Sequence, residues 1–143
     1  MQVKFKKLNP EAKLPEYKTD KASGMDFYCP EETIVYAGET VKIPSGLAIE
    51  LPEGYELMLR GRSGLSTMNT YMFKTGTIDN DYRGELAFII HNPNLEGNRL
   101  ILSKGERIAQ GTLRKFIQAD IVEAEELTIT KRNTGGFGHT GRN

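Results

Sequence analysis

The sequence predicts an all-β fold, a sandwich or barrel of many short strands. Two observations carry this. Apolar residues recur at every second position over short windows, the spacing of a half-buried strand. Gly or Pro then interrupts each window before a helical period can establish itself. In chain order the windows are Thr33–Tyr36, Thr40–Ile43, Gly46–Leu51, Tyr55–Arg60, Glu85–His91 and Arg107–Leu113. Pro44-Ser45-Gly46 and Pro52-Glu53-Gly54 supply turn chemistry between neighbours. Ser63 to Met68 is suited to a helical turn with Ser63 as its cap, and Glu123–Leu127 fits more than one state. No helical pattern is long enough for a βαβ unit, which argues against a doubly wound nucleotide site.

Two stretches depart from a simple β shell. In Glu85–His91, Leu86, Phe88 and Ile90 share one face and Ala87 and Ile89 the other, so both faces are apolar. The second face then meets another sheet or another subunit, or the strand is central to a sandwich. The carboxy-terminal stretch has four glycines between Gly135 and Gly141. Such a run cannot hold a packed element alone and is expected to be mobile without a partner.

With 143 residues the chain is one domain, large enough to fold without staples. Its 19 Lys and Arg balance 19 Asp and Glu, so no global basic field exists to hold duplex DNA or an anionic membrane. Any anion must be bound by a local site. The single cysteine, Cys29, forbids an internal disulfide and is read as a small strand or turn residue. No apolar run has the length of a signal or a membrane span. A cytoplasmic location is expected, or the host cytoplasm if the protein is virus-encoded.

Three segments could carry chemistry. Gly76–Gly84 holds Asp79, Asp81, Tyr82 and Arg83 between glycines. It is no calcium loop, because Arg83 and Ile90 stand where that loop needs oxygen ligands. It reads either as a hairpin bearing a general base or as a charged turn in which Arg83 pairs with Asp81. Arg60–Ser66 surrounds two glycines with two arginines and two hydroxyls, suited to an anion or merely a glycine-rich turn. Gly136–Gly141 nearly matches a phosphate loop but lacks its Lys and Ser/Thr. With Arg132 and Phe137, that segment could close over a phosphorylated nucleotide, or fray. His91 and His139 lack metal-ligand spacing, and His91 reads as a strand-end residue making a hydrogen bond.

Together these segments resemble the homotrimeric deoxyuridine triphosphatase (dUTPase) family. Five motifs occur in the family's order: Ala22–Phe27, Gly61–Ser66, Gly76–Gly84, Gly105–Gln110 and Arg132–Gly141. The resemblance implies a distorted jelly-roll or β-clip barrel over residues 1–126. A flexible arm, residues 127–143, would complete an active site of the trimer. Each site would take motifs one, two and four from one subunit, the third-motif hairpin from a second and the arm from the third.

The implied reaction is hydrolysis of dUTP to dUMP and pyrophosphate with Mg²⁺, which keeps uracil out of DNA and supplies dUMP for dTMP synthesis. By resemblance, Asp79 activates the water that attacks the α-phosphorus. Tyr82 packs on the sugar and excludes a 2′-hydroxyl. The hairpin at Gly76, Thr77 and Ile78 reads uracil. Arg62, Ser63, Gly64 and Gln110 hold phosphates, and Arg132, Phe137, Gly138, His139 and Thr140 close the lid. Asp26 and Asp81 support the site. Mg²⁺ is carried by the triphosphate and waters, with no direct protein ligand.

This chain departs from the family pattern in places. Ser23 and Phe27 replace a glycine and a leucine in the first motif, Ser66 an alanine in the second and His139 a serine in the fifth. Two alternatives remain on the sequence alone. One is a dCTP deaminase-like enzyme, for which Glu85 is the nearby glutamate; the other is a non-catalytic, nucleotide-sensing trimeric module.

Overall fold

A computed structural model describes residues 1–64, 71–94 and 97–136. Its ten strands are β1 (Lys4–Lys7), β2 (Met25–Tyr28), β3 (Thr33–Val35), β4 (Thr40–Glu50), β5 (Tyr55–Arg60), β6 (Met72–Phe73), β7 (Gly76–Ile78), β8 (Glu85–His91), β9 (Leu100–Leu102) and β10 (Arg107–Lys115). They form two four-stranded sheets, ordered β1-β4-β8-β6 and β2-β10-β5-β7, and a β3-β9 pair. Every pairing is antiparallel. The described chain is thus all-β apart from one short helical turn.

The core lies between the two large sheets. Phe27 of β2 meets Phe5 of β1 and Phe88 of β8 edge-on, with ring centroids 6.1 and 5.8 Å apart. Leu47, Ile49, Leu57, Leu86, Ile90 and Ile108 fill the space around them. Each such side chain contributes about 1.5–3 kcal/mol on leaving water. In β8, Leu86, Phe88 and Ile90 face this core, whereas Ile89 on the opposite face is 40% exposed. Among the described residues no sheet covers that outer face, so there β8 is enclosed on one side only.

Pro44-Ser45-Gly46 is not a turn. β4 is one strand of eleven residues that runs through this point, pairing β8 from Thr40 to Pro44 and again at Ala48, and β1 from Leu47 to Glu50. The register shift is a bulge, in which β4 carries two more residues than β8 without reversing the chain. Gly46 sits there at φ +72°, and a Cβ would come within 2.8 Å of that of Ala12. Its N–H donates to Glu85 Oε1 at 2.8 Å, and its carbonyl accepts from Leu8 N at 2.8 Å. Side chains and neighbouring strands thus replace the ladder bonds lost at the bulge. Pro52–Tyr55 does turn, closed by Tyr55 N donating to Pro52 O.

Ser63 and Gly64 begin a helical turn; the remainder of that expected turn lies outside the described residues. His91 ends β8 with Nδ1 3.0 Å from Thr40 Oγ1. Cys29 is buried and unbridged, and burial pushes its thiol pKa up. Beyond β10, residues 116–136 form neither helix nor strand, so Glu123–Leu127 is not helical. Ile117, Ile121, Val122, Leu127 and Ile129 along this segment are all largely exposed.

Candidate active site

The first cluster is built on β2 and β10. Gln110 is the cross-strand partner of Asp26, so both side chains leave the same face. Arg107, three residues before Gln110, would lie on the opposite face of a regular strand. The register shift between Arg107 and Ala109 adds a residue at Ile108 and returns Arg107 to the side of Asp26. Arg107 Nη1 then donates to Asp26 Oδ2 at 2.9 Å, and Gln110 Nε2 to Oδ1 at 3.1 Å. Arg62 Nε lies 3.4 Å from Oδ1. The Asp26 side chain is only 5% exposed, so its charge is tolerated because these donors surround it.

Side chains also satisfy the carbonyls at the bulge. Arg62 Nη1 donates to Arg107 O at 3.1 Å, and Tyr71 Oη to Ile108 O at 3.1 Å. Burial of Tyr71 pushes its phenol pKa up, keeping it a donor. Asp26, Arg62, Arg107 and Gln110 are thereby locked together. Ser63 and Gly64 follow Arg62 directly and are exposed.

The second cluster is the hairpin after β7. Gly76, Thr77 and Ile78 pair with Leu59, Met58 and Leu57 of β5. Asn80 anchors the following turn, donating from Nδ2 to Pro52 O at 2.7 Å and Tyr55 O at 2.9 Å. Arg83 donates to Asn80 O and Tyr82 O; its guanidinium braces the turn backbone instead of forming the Arg83–Asp81 pair of the charged-turn reading. Asp79 is exposed, and among the described residues no hydrogen bond or ion pair engages its carboxylate. Asp79 and Asp81 line a cleft of about 650 Å³ with Glu56, Asn80, Phe116 and Gln118.

The two clusters do not meet within one chain. Gln110 is level with Arg60 on β5, whereas Asp79 follows the partner of Leu57. Strand geometry separates them by roughly 13 Å along the strands and about 10 Å across two of them. Arg132 is exposed, with Nε donating to Gly135 O at 2.9 Å. Phe137, Gly138, His139 and Thr140 lie outside the described residues. Glu85, the residue a deaminase-like reading needs, uses its carboxylate to bind Gly46 N.

Sequence reasoning gave Arg107, Tyr71 and Asn80 no role. Arg107 stood inside a quoted motif, but its face depends on a bulge that spacing does not reveal. Asn80 stood between two carboxylates that drew attention to themselves.

Residues 10–141 match the family model described as dUTPase. The chain belongs to the dUTPase family. A deoxyuridine 5'-triphosphate nucleotidohydrolase of Hydrogenobaculum sp. is 46% identical, with 99% of each chain covered. One of Nautilia profundicola is 44% identical over 99% of this chain and all of its own. Among solved dUTPases, a variant from Staphylococcus bacteriophage 80alpha with dUpNHpp superposes with TM-score 0.87 at 26% identity, covering 98% of each chain. A variant from S. aureus phage phi11, described with a structural Mg(II) ion, shares the fold at TM-score 0.82 and 23% identity, covering 88% of this chain and 98% of its own.

Proposed function

We propose that this dUTPase-family chain hydrolyses dUTP to dUMP and pyrophosphate as a homotrimer, in the cytoplasm. The observation that carries the reading is the division of labour between two separated clusters. One holds a carboxylate free to act; the other gathers Arg62 and Gln110 on a buried anion. Asp79, Asp81 and Glu56 around one cleft would repel a triphosphate unless cations faced them from elsewhere. A neighbouring subunit bringing Arg62, Ser63, Gly64 and Gln110 supplies them. The exposed outer face of β8 and the apolar residues of 116–136 support such an assembly.

In this reading Asp79 removes a proton from water while the water oxygen bonds to the α-phosphorus. The bond from that phosphorus to the bridging oxygen breaks, and pyrophosphate leaves. Positioning and charge neutralisation dominate such a displacement. Gly76, Thr77 and Ile78 read uracil, and Tyr82 walls off the sugar. Arg132, Phe137, Gly138, His139 and Thr140 cover the nucleotide, with residues 127–143 as the arm that carries them.

Asp26 is suited to supporting the site rather than holding metal, since its oxygens already accept from Arg107 and Gln110 and Arg62 Nε lies 3.4 Å away. Asp81 lines the cleft beside Asp79 and supports it there. That fits Mg²⁺ carried by the triphosphate, where it would neutralise phosphate charge. The activity would limit uracil in DNA and feed dTMP synthesis. Pyrophosphate release with Mg²⁺ from dUTP, dCTP, dTTP and UTP tests the proposal. Turnover of dUTP well above the other three is expected, and preferential turnover of dCTP or none of the four would overturn it.

A further inference from the structure

Tyr82 is held in an unusual way. Its hydroxyl donates to the carbonyl of Glu85 at 3.0 Å, which folds the ring back over Gly84. A Cβ at Gly84 would lie 2.6 Å from Tyr82 Cζ and 2.9 Å from Cε2, and closer still to the hydroxyl oxygen. Real carbon contacts need about 3.5–4 Å, so the ring occupies the space that any side chain at 84 would claim. Gly84 is not among the residues at positive φ. The backbone therefore permits alanine there, and the three atoms nearest its methyl all belong to the Tyr82 side chain. Tyr82 nonetheless stays 43% exposed, so much of its surface remains available to a ligand. Glu85 is itself fixed, through Oε1, by Gly46 N of the β4 bulge.

We infer that Gly84 is a positioning residue that sets discrimination between deoxyribose and ribose by seating the Tyr82 ring. The inference rests on the proposed role of Tyr82 against the sugar. A wall rejects one extra hydroxyl only if its height is fixed to a fraction of an ångström, and hydrophobic walls that can yield discriminate poorly. The glycine below and the Glu85 carbonyl at the ring's far end fix it from two sides. Adding a methyl at 84 displaces the ring by about 1 Å in whichever direction it escapes. A deoxynucleotide then loses its packing, while a ribonucleotide, already rejected, loses less. The ratio falls in either case. Uracil reading, assigned to Gly76, Thr77 and Ile78, is not on this path.

The experiment compares kcat/KM for dUTP, UTP and dCTP in full-length wild type, Gly84→Ala, Tyr82→Phe and Tyr82→Ala, with thermal melting of each. Gly84→Ala is expected to lower the dUTP/UTP ratio about tenfold while the dUTP/dCTP ratio stays within about twofold. Loss of the Glu85 tether in Tyr82→Phe should lower the first ratio by a smaller factor, and this variant decides the matter if Gly84→Ala does not fold. Equal falls in both ratios would mean general damage and overturn the inference. So would a dUTP/UTP ratio lowered by Tyr82→Ala but untouched by Gly84→Ala, or, should that variant not fold, by Tyr82→Phe. If Tyr82→Ala leaves the ratio unchanged, the role of Tyr82 itself fails, and the seat with it.

Discussion

Asp26 and Asp79 are the same residue in opposite circumstances. Asp26 is buried, and Arg107, Gln110 and Arg62 converge on its two oxygens. Asp79 is exposed at the tip of a hairpin whose other members, Asn80 and Arg83, are occupied in holding the backbone. A carboxylate surrounded by donors organises its neighbours and has little capacity left for a substrate. One whose support goes to its backbone keeps its lone pairs for a proton. Partners, more than residue type, divide these two roles.

The sharpest way to break this contrast is Asp79→Asn. It removes the proposed base and keeps the shape, so kcat should fall about a thousandfold while nucleotide binding persists, as read by pyrophosphate release and calorimetry. Hydrolysis at an undiminished rate would sink the assignment. Asp26→Asn should do something different in kind. It leaves Arg62 and Arg107 facing a neutral amide, which should lower unfolding stability by about 2–3 kcal/mol. KM should rise more than kcat falls, because Arg62 and Gln110 lose their shared anchor. Denaturant unfolding and steady-state kinetics check both parts.

Glu16 sharpens the comparison from between the two. It is at the surface but paired: Lys18 Nζ lies 2.5 Å from Oε2 and Lys13 Nζ 3.1 Å from Oε1. Hydrogen bonds from Lys18 first, then Lys13, pull its pKa from 4.5 to about 2. A depressed carboxyl contributes stability above its unfolded value, near 4.5, and loses that contribution as pH falls towards 2. At so exposed a site the contribution is small. Carboxyl titration by NMR should show the low midpoint, and replacing both lysines by alanine should return it towards 4.5. A midpoint still near 2 in that double variant would remove the lysines as its cause.

Much of this molecule was legible in its residues. Period-two spacing located β5 and β8 because those strands alternate buried and more open positions, and it also found β3 and β10, although β10 buries neighbours on both faces. β2 escaped the same reading, being short and carrying a buried charge at Asp26 where periodicity expects a solvent-facing polar residue. β4 was split in two because Pro and Gly signal a turn and a bulge with the same letters. The hairpin itself was marked out by Asp79 and Tyr82; its mechanics were not. That Asn80 reaches two carbonyls of the 52–55 turn, or that Gly84 lies under an aromatic ring, depends on contacts which no local spacing encodes.

Gly46 stands outside both clusters, yet three parts of the chain converge on its peptide unit: the amino-terminal segment through Leu8, the bend of β4, and Glu85 at the root of the hairpin. A side chain there would need both an unfavourable left-handed backbone and the volume held by Ala12. The disturbance would travel by a single carboxylate to Glu85, at the foot of the hairpin that carries Tyr82 and Asp79. A geneticist seeking heat-sensitive alleles of this gene would therefore do well to begin at a glycine that belongs to neither cluster.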